Sequence, residues 1–98
     1  MGAIGDCNRA IKISPGLAEA YNNRGLARSE LGDLHGAIED YDRALAINPR
    51  LAVAYGNRGL DHLRQGDAAA AERDFARCLE LNPELKPVLE EGAKKIKR

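Results

Sequence analysis

The chain has no tryptophan, one phenylalanine, three tyrosines and a single methionine. Large rings and flexible thioethers therefore cannot fill much of an interior, and small aliphatic side chains must pack it. Only two cysteines are present, Cys7 and Cys78. That is too few for a disulfide scaffold, and neither has a Cys or His nearby at a metal-ligand spacing. Buried free thiols are the expectation, consistent with a reducing, cytoplasmic compartment. Neither sign of charge dominates, with 15 basic and 15 acidic residues, so no long-range attraction draws the chain to nucleic acid or to an anionic membrane. No run approaches the roughly 18 apolar residues of a membrane helix, and the first residues lack the basic-then-apolar order of a secretory signal. The reading is of a soluble chain with neither nucleic acid nor membrane as partner. Its 98 residues suit one compact domain spanning 1–98.

Catalytic signatures are missing too. The sequence contains no GxxxxGK[ST] phosphate loop, no GxGxxG and no HExxH. His35 falls in an inter-helix turn. His62 has Asp61 beside it, but adjacent helical residues point apart and form no catalytic pair. The scattered carboxylates read as a solvated face rather than an acid–base pair. No catalytic residue, no metal ligand and no cofactor is expected, and the chain reads as a binding protein rather than an enzyme.

What the sequence does have is a period. Pro15, Pro49 and Pro83 are each 34 residues apart, and Tyr21 recurs as Tyr55, Gly25 as Gly59, Gly32-Asp33 as Gly66-Asp67, Ala37 as Ala71, Tyr41 as Phe75 and Leu45 as Leu79. Residues 18–51 and 52–85 agree at 16 of 34 positions, far beyond coincidence. Within each unit the apolar residues recur every three or four positions, which is helical periodicity. The Gly-Asp pairs interrupt it, because glycine accepts the left-handed end of one helix and aspartate caps the next. Asn48-Pro49 and Asn82-Pro83 stop the second helix of each unit. Helices are expected at 2–14, 18–31, 34–47, 52–65, 68–81 and 86–97.

An aromatic, a small glycine, a small alanine, a second aromatic, then alanine and proline at a 34-residue step resembles the tetratricopeptide (TPR) repeat. The match covers 18–51 and 52–85 as two repeats, and residues 2–17 fit the second half of another. Cys7 replaces an aromatic, Cys78 an alanine, and Arg28 and His62 stand where the family usually has tyrosine. The resemblance implies an all-α fold of antiparallel helix-turn-helix repeats stacked as a short right-handed solenoid. It also implies a groove, lined by the first helices, that receives a peptide of a partner protein. On this chain the groove face would hold Asn22, Asn23, Leu26 and Glu30, then Asn57, Leu60, Leu63 and Arg64. Asn23 and Asn57 matter most, since an amide at matching places can donate to and accept from a ligand backbone whatever its side chains. A carboxylate clamp is not expected: Asn22 and Leu26 stand where a lysine and an asparagine would be needed.

Leu85, Leu89, Ala93 and Ile96 fall on one stripe of the C-terminal stretch, and residues 86–98 read as a capping helix that closes the last apolar face. At the other end, Met1 begins just before what would be the second helix of a repeat, leaving Ile4, Cys7 and Ile11 on an uncovered face. Either the chain is a fragment of a longer protein or another copy covers that face, and self-association into a homo-oligomer through it is the second functional expectation. Finally, Asp6, Asp40 and Asp74 also step by 34, as do Arg24 and Arg58. Ion pairs within repeats would join Arg24 to Asp40; pairs between repeats would join Asp6 to Arg24.

Overall fold

The computed structural model describes the backbone of residues 2–96 and the side-chain environment of residues 4–96. Among them it has six α-helices and no strand: α1 (Gly2–Ile13), α2 (Ala18–Glu30), α3 (Leu34–Ile47), α4 (Ala52–Arg64), α5 (Ala68–Leu81) and α6 (Lys86–Ile96), with a 3₁₀ turn at Pro83–Leu85 before α6. These spans follow the sequence expectation to within a residue or two, because the stop signals act as their chemistry requires. Gly32 and Gly66 adopt φ of 87° and 86°, the left-handed conformation that glycine enters without a Cβ clash. The following Asp33 and Asp67 then turn their carboxylates onto the next helix start, accepting from the backbone N–H of Gly36 at 3.0 Å and of Ala70 at 3.1 Å. At the other junctions Asn48 and Asn82 accept from the N–H groups of Arg50 and Glu84. These Asx turns, together with the proline between, end α3 and α5.

The chain forms two compact units, residues 1–51 and 52–98, whose boundary coincides with the repeat boundary. In the first, α2 and α3 form a closely packed antiparallel pair and α1 lies against α2. The core is built from Ala18, Ala20, Ala37, Tyr41, Ala44 and Leu45. The pair is close because Gly25 has no side chain. A Cβ there would stand 2.6 Å from the Tyr41 ring and 3.1 Å from the Ala37 carbonyl oxygen.

The second unit repeats this with α4 and α5, where a Cβ on Gly59 would stand 2.7 Å from the Phe75 ring. Here α6 lies on α4. Its Leu89 is buried beside Gly56, and its Gly92 faces Leu60, each glycine leaving room for a leucine methyl about where its own Cβ would crowd it, at 3.0 Å. Leu89 and Ala93 stand one further 34-residue step beyond Tyr55 and Gly59. The capping helix thus keeps the register of a first helix.

Candidate functional site

Within each repeat an arginine and an aspartate of the series form a pair. Arg24 of α2 holds Asp40 of α3 through two parallel bonds, Nε to Oδ2 at 2.9 Å and Nη2 to Oδ1 at 2.7 Å. Arg58 of α4 holds Asp74 of α5 with the same atoms at the same two distances. This fork geometry matches a planar guanidinium to a carboxylate and is stronger and more directional than a single neutral bond. Both acids are buried, Asp40 to 1% and Asp74 to 6% exposure, so each needs its partner. The bond to Asp40 pushes the Arg24 guanidinium further up from its already high value. Each arginine also lies 5.5 Å from the ring of the tyrosine three residues before it, Tyr21 or Tyr55.

The third member of the series differs. Asp6 is exposed, and among the described residues no cation pairs with it. Arg24 reaches α1 only through Asn8, whose Oδ1 accepts from Nη1 at 3.0 Å.

Arg28 and His62, the departures from the expected tyrosine, turn to these same acids. Arg28 donates to Asp40 Oδ2 at 3.1 Å, whereas His62 Nε2 lies 3.7 Å from Asp74 Oδ2 and its buried Nδ1 has no hydrogen-bond partner. Asp61, which replaces Ala27 of the first repeat, is fully buried and takes a bond from Arg64. None of this second-repeat cluster was visible from periodicity, although the swaps Ala27 to Asp61 and Glu30 to Arg64 one step apart were its available signal.

The residues expected on the groove face divide sharply. On α2, Asn23, Leu26 and Glu30 are exposed. Asn22, however, is only 5% exposed; one residue from Asn23, it lies 100° around the helix. On α4, Asn57 and Leu60 line a small cavity under α6 together with Val53, Gly56, Cys78 and Leu89. Leu60 packs on Gly92 of the capping helix. Leu63 is half-buried and Arg64 is engaged by Asp61.

On α1, Ile4, Cys7 and Ile11 are all half-buried. Of the three only Cys7 lines the open cavity between α1 and α2, which it shares with Asn23. Burial pushes both thiols up from their usual value, so neither is an activated nucleophile. Among the described residues no group of three His, Cys, Asp or Glu side chains is placed to hold a metal. No helix there is long and apolar enough to cross a membrane.

Helix pairs clasped through glycine and braced by a repeated fork of charge define a helical-repeat interaction protein. The tetratricopeptide repeat family model matches residues 18–51 and again 52–85, and the chain belongs to that family. Two crystal structures of MamA share its architecture. One superposes with a TM-score of 0.76 at 31% identity, over 83% of this chain and 47% of that one; the other gives 0.74 at 31% identity, over 85% and 45%. The chain spans about half the length of the MamA chains it matches. No curated protein sequence matches it. The repeats make it a protein-interaction or scaffold module of a fold that generally carries no enzymatic activity.

Proposed function

We propose that the chain binds an extended segment of a partner protein on the outer face of α2, with Asn23 hydrogen-bonding the ligand backbone and Asn57 giving the same service on α4. The observation that supports this reading is the exposure of Asn23, Leu26 and Glu30 on one rigid helix, where an amide, an apolar contact and a carboxylate are offered together. Asn23 bonds the backbone, Leu26 takes an apolar side chain, and Glu30 pairs with a cation. The second repeat contributes less, since α6 already covers Leu60.

Selection of displayed random peptides on the full chain tests this. Selected peptides should bind the Asn23→Ala/Asn57→Ala double variant at least about tenfold more weakly, the loss expected when hydrogen bonds to a buried ligand backbone go unmade. Equal affinity for both proteins contradicts the reading.

A second reading, self-association through α1, is supported by a comparison with α3. Cys7, Ala10 and Ile11 are half-buried, whereas their counterparts Tyr41, Ala44 and Leu45 are buried. Light scattering should then show a concentration-dependent mass that Ile4→Asp/Ile11→Asp abolishes. A mass that stays monomeric at every concentration ends this second reading.

A further inference from the structure

Of three aspartates spaced by 34 residues, two receive a fork from an arginine of the helix packed against them, and Asp6 does not. Beside Asp6, between α1 and α2, lies an open cavity of about 250 Å³. Cys7, Ala10, Leu17, Ala20 and Asn23 line it together with the acidic Asp6 and Glu19, and no lysine, arginine or histidine does.

We propose that this cavity is the docking site for an amphipathic helix of another protein, one that presents an arginine to Asp6 and, directly after it, a bulky apolar side chain to the space above Cys7. The molecule itself supplies the template. In both full repeats the residue after the aspartate is an aromatic, Tyr41 or Phe75. The residue after the facing arginine must be glycine, because a Cβ on Gly25 or Gly59 would come within 2.6 or 2.7 Å of that ring. On α1 the residue after the aspartate is Cys7. Its small side chain leaves the volume of a ring empty, so close packing there calls for a large residue on the incoming helix where α2 and α4 have glycine. Asp6 and Glu19 favour a cation beside it.

No free helix of a second copy meets both demands. Arg24 and Arg58 are already held by Asp40 and Asp74. On α6, the remaining helix in first-helix register, the positions one step beyond Arg58 and Gly59 are Gly92 and Ala93, neither a cation nor a bulky side chain. The incoming helix must bring the guanidinium. The inference rests on the reading of the chain as a protein-interaction module, but not on its asparagine pair.

The probe is a labelled synthetic peptide of residues 17–33 carrying Gly25→Leu, titrated by fluorescence anisotropy into the full chain. Saturable binding is expected below about 1 mM. An Arg24→Gln change in the peptide, or Asp6→Asn in the protein, should each weaken it at least about tenfold. Asp6 is exposed, so that protein variant should keep its helical circular dichroism.

Cys7→Tyr in the protein should reverse the preference, so that the parent peptide with Gly25 binds better than the Gly25→Leu peptide. Asn57→Ala should leave this peptide unaffected, while the reading under Proposed function requires it to weaken display-selected ligands. Absence of saturable binding, or binding indifferent to Arg24 and Asp6, overturns the proposal. So does a stable dimer of the free chain that Asp6→Asn dissociates, which would give the cavity to a second copy.

Discussion

In the first repeat the buried Asp40 accepts three hydrogen bonds from two arginines, Arg24 and Arg28. In the second, Asp74 accepts two from Arg58, and His62 stands off at 3.7 Å. The fork and the tyrosine beside its arginine are the same in both repeats, while other residues near it have changed: a guanidinium has become an imidazole, Ala27 has become the buried Asp61, and Glu30 has become Arg64. The outer faces differ as well. That of α2 stays open at Asn23 and Leu26, whereas that of α4 carries α6 across Gly56 and Leu60. One repeat leaves this surface open and the other uses it to receive the cap. The common part of the repeat maintains helix spacing, and the variable part decides what each face is for.

The largest expected effect separates the two acids. Asp40→Ala should destabilise its unit by about 3–5 kcal/mol, because it leaves two guanidinium groups facing each other without their carboxylate. Asp74→Ala should cost less, since the Arg58 side chain is 22% exposed and reaches water more readily. Urea unfolding followed by circular dichroism measures both, and equal losses would break the comparison.

Next come the clasping glycines. Gly25→Leu and Gly59→Leu should each lose about 1–3 kcal/mol by overpacking against Tyr41 and Phe75, with Gly25 the more sensitive because its neighbour Tyr41 is 1% exposed and has less room to yield than the half-buried Phe75. The smallest effect should be shared equally. Asp33→Ala and Asp67→Ala each remove one helix cap with the same geometry, costing about 1 kcal/mol apiece, and thermal melts of the two variants should coincide.

Much of this architecture was legible in the residues. Proline, Gly-Asp and aromatic-glycine spacing placed every helix, because each of those signals acts through its own backbone chemistry within a few positions. The charge series showed which residues would pair but not how. Both the within-repeat and the between-repeat choice satisfy a 34-residue step, and only the geometry of α2 on α3 selects Arg24 with Asp40. The groove face was read less well for a related reason. Asn22 and Asn23 are neighbours of the same type, and one turn-phase separates a buried amide from an exposed one. Leu60 repeats Leu26 in sequence, yet α6 covers only the former, a consequence of which helix comes next rather than of anything within the repeat.

Amide chemical-shift mapping with a display-selected peptide tests partner binding on the open face of α2. The largest shifts should fall on Glu19, Asn23, Leu26 and Glu30. Shifts confined to the outer side of α3, at Glu39, Asp42, Arg43 and Ala46, would contradict it.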